Sequence, residues 1–258
     1  GEGGKVNISD VTYNLIKDYF ICEYRGKLPV KYKGNIDMYF VIGLRPELSV
    51  DLHGIPNKRF YIKLQLLKLK DLELRLFEDI LALQKFYLQL HKPDNIRHLM
   101  DHLELLCKSE NISEPELLLV KTAGLMMHAG LSESMENEAR ISTEITRTIL
   151  PDYGYTPRQI EQICELIYSV QSSEHPENKL EEILRDATME YLGRRDFTTH
   201  LKLLYLEKKN GNNKLKMEDI VKEQEEILQN YKFYTIAAQQ LREVSQEEQM
   251  ENLQSIHI

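Results

Sequence analysis

The chain is poor in the residues that staple or anchor a fold. Its 258 residues include three cysteines, Cys22, Cys107 and Cys164, widely spaced and without a CxxC pair. That spacing argues against a disulfide framework and against a cysteine-based zinc site, and it favours a reducing compartment. No apolar run approaches the roughly 18 residues that a membrane span needs, and no positively charged leader precedes an apolar stretch. The expectation is a soluble, cytoplasmic protein with no membrane contact. Basic residues are also in deficit, with 33 Lys and Arg against 41 Asp and Glu for a formal charge of −8. A dedicated nucleic-acid surface needs the opposite balance, so no nucleic-acid partner is expected.

What is present falls into two textures. From Val6 to Gly43 the pattern is mixed: Ser9 or Asp10 is placed to cap a short helix through Leu15. Tyr19 to Tyr24 and Met38 to Ile42 are rich in aromatic and β-branched residues, and Gly26, Pro29, Gly34 and Asn35 supply turn chemistry between them. Residues 44–59, with Pro46, Gly54 and Pro56, read as a connector with little regular structure. From Phe60 onward the periodicity is helical, with helices expected near 60–90, 95–109, 114–129, 133–150, 156–172, 177–192, 196–208 and 215–250, the last broken around Tyr231 to Thr235. Ser113 with Glu116, and Thr156 with Pro157 and Gln159, carry the spacing of capping boxes. The long helix after residue 60 holds more leucines than one face needs, so it packs on several sides, on a second subunit, or simply in a core.

The segment Val6 to Lys17, followed by Cys22 to Gly26 and Val30 to Phe40, resembles the tail of a class III adenylate/guanylate cyclase catalytic domain. The resemblance implies that the metal-binding and transition-state residues of a cyclase lie upstream of this fragment, in a catalytic domain that becomes an expected partner. It also implies that a nucleotide-contacting lysine falls at Lys31 or Lys33, although Tyr32 stands where that family has a small glycine.

Residues 60–210 resemble an HD-type metal-dependent phosphohydrolase domain of a bacterial subgroup. The likeness is carried by His98 in an Asn-Ile-Arg-His run, His128-Ala129, and Asp186 ahead of Tyr191, Leu192, Gly193 and Arg194. The expected fold class is therefore mainly α, an HD-type helical domain preceded by a short α+β fragment. The expected divisions are 1–43, 44–59, 60–210 and a helical extension over 211–258. In such a family an early histidine, a histidine-aspartate pair and a late aspartate gather around a metal, which the resemblance places at His98, His128 and Asp186.

Three departures weaken that metal chemistry. Ala129 stands where the pair has its aspartate, and a methyl group donates nothing to a cation. Residues 134–139 contain Glu136 and Glu138 but no second-metal histidine, and Asp94 stands where many members have histidine. Glu104, Glu136 and Glu138 are substitute oxygen donors or plain surface acids. His128, within an apolar run, is either a ligand or a core histidine bonded to backbone, and His102, one turn from His98, reads as packing. Two functions follow. One is a non-catalytic regulatory or dimerisation module attached to a nucleotide cyclase, without cofactor, forming a homodimer or taking a small phosphorylated ligand. The other is a phosphohydrolase acting on a nucleotide or other phosphoester with a single divalent metal.

Overall fold

Ser9 ends the first strand and opens the first helix, its hydroxyl accepting from the Thr12 amide at 3.4 Å. The computed structural model describes residues 2–32, 34–51, 53–82, 90–132, 137–172, 174–211 and 213–256, without the side chains of 80–82, 132, 210 and 211. It divides into two units, Gly1–Leu67 and Lys68–Ile258.

The first unit begins β1 (Val6–Ser9), α1 (Asp10–Ile16), β2 (Phe20–Val30) and β3 (Gly34–Leu44), with the strands antiparallel in the order β1-β3-β2. Val6 and Cys22 both face Val41, and Ile8 and Tyr24 both face Tyr39, so this row of side chains shares one face. Tyr13 of α1 stacks on Tyr39 with ring centroids 4.0 Å apart, which seats the helix on that face. The Arg25 to Pro29 stretch, expected as a turn, is instead strand. The chain absorbs Gly26, at φ 102°, as a bulge in β2, and Arg25 reaches Asn7. The connector is also more ordered than expected. A 3-10 turn over Pro46–Leu48 leads into a short ladder of β4 (Ser49–Val50) with β5 (Ile55–Pro56), and Asn57 ties the ladder to the next helix through Ser49 O and the Phe60 amide.

Helix α2 (Lys58–Ala82) runs across the division. In the second unit its Leu69, Leu72, Leu76 and Phe77 are buried, and Arg97 lies over the Phe77 ring. There follow α3 (Pro93–Ser109), α4 (Glu114–Met126), α5 (Glu138–Ile149), α6 (Pro157–Gln171), α7 (Lys179–Thr188), α8 (Phe197–Gly211), α9 (Met217–Asn230), α10 (Ile236–Leu241) and α11 (Gln246–Gln254). The capping boxes at Ser113 and Thr156 are formed. Helix α3 buries Ile96, Met100, Leu103 and Cys107 at helical spacing. It lies against α4 and α7, where Leu118, Leu125, Ile183 and Leu184 are fully buried. Each such side chain contributes about 1.5–3 kcal/mol by leaving water. The protein is thus a mainly α-helical domain preceded by a short β/α segment.

The C-terminal extension is part of this packing. Gln224 of α9 accepts from the Tyr191 hydroxyl, Gln249 of α11 donates to the Arg194 carbonyl, and the amides of Glu243 and Val244 converge on the Gly193 carbonyl. These contacts fasten the 3-10 turn Glu190–Gly193, which follows α7, to the C-terminal helices. Among the described residues, no helix is long and apolar enough to cross a membrane.

Candidate functional site, a histidine-lined cavity

A cavity of about 320 Å³ opens between the start of α3, the end of α4, the end of α7 and the face of α8. Four histidines line it: His91, His98, His128 and His200. Each is placed by a different local feature.

His91 precedes the proline that starts α3, in a segment gripped from α8. Its Nδ1 is paired with the Glu207 carboxylate, whose other oxygen accepts from the amides of Leu90 at 2.7 Å and His91 at 3.2 Å. Glu207 is fully buried. Burial opposes a charge on both partners, yet the pairing wins: His91 is held above the ordinary histidine pKa and Glu207 below the ordinary carboxylate pKa.

His128 ends the apolar α4 run, where the helix gives way to the 3-10 turn Ala129–Ser132. It is 6% exposed, and its ring centroid lies 5.4 Å from that of His91. Neither ring nitrogen has a hydrogen-bond partner among the described residues. The Glu138 carboxylate is 3.9 Å from Nδ1, beyond hydrogen-bond reach. Leaving a buried polar group unpaired costs about 1–3 kcal/mol. Burial, with the neighbouring His91 charge, pushes the His128 pKa down to about 3, so the ring is neutral. Burial likewise pushes Glu138 up to about 7, with Glu207 adding to the rise and His91 opposing it.

His200 stacks flat on Tyr191, centroids 4.1 Å apart and planes within 4°. Burial, then the Arg194 charge, takes its pKa down to about 4. His98 is half exposed and points at Glu190, at 3.0 Å. Glu190 also faces His102 at 3.4 Å and Arg194 at 3.7 Å, so its carboxylate gathers that corner of the wall. His102, largely buried, has its pKa lowered by desolvation.

Asp186 does not line this cavity. Its Oδ1 accepts from the Tyr231 hydroxyl at 2.9 Å and the Tyr234 amide at 3.0 Å, and its Oδ2 from the Thr235 amide at 2.8 Å and hydroxyl at 2.7 Å. Four donors use the acceptor capacity of a carboxylate. Burial still raises its pKa, against the pull of these bonds.

The structure therefore brings His98 and His128 to one cavity and engages Asp186 elsewhere. Among the described residues, no group of three or more His, Cys, Asp or Glu side chains is placed to hold a metal ion. Of the substitute oxygen donors, Glu104 pairs with Lys121, Glu138 faces His128, and Glu136 lies outside the described residues. In the first unit, Lys31 sits at the exposed hairpin tip with its ammonium 5.0 Å from the Tyr32 ring, and Lys33 lies outside the described residues. The neighbour that geometry adds to His128 is His91. It sits in a non-periodic stretch ahead of Pro93, where only the density of histidines between residues 91 and 102 offered a signal. Comparison with protein-family models, with curated proteins and with solved structures finds no match to this chain.

Proposed function

We propose that the helical unit is a non-catalytic regulatory or dimerisation module with an HD-type arrangement, attached to a nucleotide cyclase and acting on the pairing of its catalytic domains. The observation that carries the non-catalytic part is the Asp186 carboxylate. A metal ligand needs a lone pair to give, and both oxygens of Asp186 already accept two hydrogen bonds each from Tyr231, Tyr234 and Thr235. The His98 imidazole is turned to Glu190, and Ala129 offers only a methyl beside His128. This donor set does not fit a divalent ion. The dimerisation part is supported by Leu74, which is 57% exposed on the part of α2 that belongs to the helical unit. The cyclase attachment rests on the likeness of Val6 to Phe40 to the tail of that catalytic domain.

The test is phosphate release from phosphomonoesters, nucleotides and cyclic nucleotides by this chain, loaded in turn with manganese, zinc and magnesium, alongside its mass in solution by light scattering. The reading expects no turnover above the metal-only control and a dimer. Metal-dependent turnover abolished by Asp186→Ala would overturn the non-catalytic part, and a monomer at high concentration would overturn the dimerisation part.

A further inference from the structure

We infer that the cavity beside His128 binds a small, uncharged, planar nitrogen heterocycle through the His128 ring. The inference rests on the non-catalytic reading, because a metal on His128 would take the same nitrogen.

The first observation is the unpaired imidazole. His128 is more than nine-tenths buried, lines the cavity, and has both ring nitrogens without a partner among the described residues. Native folds rarely keep such a group unless something outside the protein completes it. A neutral imidazole offers one donor and one acceptor. Nδ1 has the Glu138 carboxylate at 3.9 Å, and both ring nitrogens are closed to solvent, so a ligand meets Nε2 as the ring turns into the cavity.

The second observation is the charge on the walls. Arg194 is held bidentate by Asp196 at 2.6 and 2.7 Å and faces Glu190, while His91 is paired with Glu207. Among the described residues, no lysine lines the cavity. A phosphate or carboxylate would enter a space where the Arg194 guanidinium is already engaged and the rim carries Glu190 and Asp196, which favours a neutral ligand over the phosphorylated one expected from sequence.

The third observation is shape. Leu99, Met127, Leu203 and Leu204 give apolar walls, and the parallel Tyr191 and His200 rings give a flat one. The volume of about 320 Å³ suits one or two fused rings.

The experiment titrates the full chain with adenine and benzimidazole, with adenosine monophosphate as the anionic counterpart. It follows heat by calorimetry and the His128 ring-nitrogen resonances by NMR. Expected are dissociation constants tighter than about 1 mM for the neutral heterocycles, displacement of the His128 resonances, and binding weakened at least about tenfold in His128→Phe. Should His128→Phe fail to fold, Leu203→Phe, which fills the cavity and leaves the imidazole in place, is expected to lose binding equally. The inference is overturned if the neutral heterocycles leave the His128 resonances unmoved, if adenosine monophosphate binds more tightly than adenine, or if both variants bind as the parent does. Metal-dependent phosphate release from adenosine monophosphate would instead overturn the non-catalytic reading, a separate failure.

Discussion

Thr235 holds one oxygen of Asp186 twice, through its amide at 2.8 Å and its hydroxyl at 2.7 Å. The same hydroxyl accepts from the Ala238 amide at 3.2 Å, so the residue that starts α10 is also the one that fastens it to α7. Asp186→Asn replaces an acceptor by an NH2 group that must face at least two donors, and the cost should be about 2–4 kcal/mol. Thr235→Val, which removes one donor and the cap, should cost about 1–2 kcal/mol. Urea unfolding followed by circular dichroism measures both. An Asp186→Asn protein as stable as its parent would contradict the description of this carboxylate as saturated.

The burial of His128 and Glu138 side by side makes a prediction in pH. His128 has a folded pKa of about 3 against an ordinary 6.5, so its contribution is present above 6.5 and is lost as pH falls toward about 3. Glu138 has a folded pKa of about 7 against an ordinary 4.5, so its contribution is present below 4.5 and is lost as pH rises through about 7. Between these limits the two oppose each other in the parent. His128→Phe removes the acid-sensitive partner and leaves the other. Its stability relative to the parent should grow by on the order of 3 kcal/mol between about pH 7 and about pH 4. A constant difference across that range would mean that the imidazole is not held neutral.

Glu207 is a buried clasp on the segment that enters α3. Glu207→Leu keeps the approximate size and removes the acceptors of Leu90 N, His91 N and His91 Nδ1 together. The expected cost is about 2–4 kcal/mol. Hydrogen exchange adds a local readout: the Leu90 and His91 amides should lose protection by more than the global loss of stability explains. Unchanged protection at both amides would refute the clasp.

These contacts mark where sequence reading works and where it runs out. Ser113 with Glu116 and Thr156 with Gln159 are legible because a capping box is complete within four residues. The break around Tyr231 to Thr235 is legible for the same local reason, but its partner Asp186 lies 49 residues from Thr235 and only tertiary packing pairs them. Glu207 looks like any solvated acid on a helix, yet it is fully buried. Gly26 reads as a turn because bulge and turn ask for the same backbone freedom. Across β4 and β5 the ladder is two residues a side, too short for alternation to register. At the site, His128 stands out in the sequence and Glu138 is one of three acids read as substitute donors or surface, whereas His91, whose influence on both comes after burial, gives little signal.

Gly130, next to Ala129, is packed against backbone. A Cβ there would lie 2.4 Å from the Glu138 carbonyl oxygen and 2.9 Å from the Ser142 amide nitrogen, both backbone atoms with no easy retreat. The Gly130 amide donates to the Ser142 hydroxyl, which in turn donates to the Met127 carbonyl, each at 2.8 Å. Gly124, in the middle of α4, is the matched control. Its added Cβ would meet the Leu103 Cδ1 atom at 2.4 Å, the end of a side chain that can rotate, and alanine would repay about 1 kcal/mol in helix propensity. Gly130→Ala should therefore cost about 3 kcal/mol or more by forcing α5 away from the 3-10 turn, while Gly124→Ala should stay within about 1 kcal/mol of the parent. Because α5 begins at Glu138, the same displacement would move that carboxylate relative to His128. The His128 ring resonances should then shift in Gly130→Ala and stay in place in Gly124→Ala. Equal stabilities and equal spectra for the two variants would show that the start of α5 is not braced on Gly130.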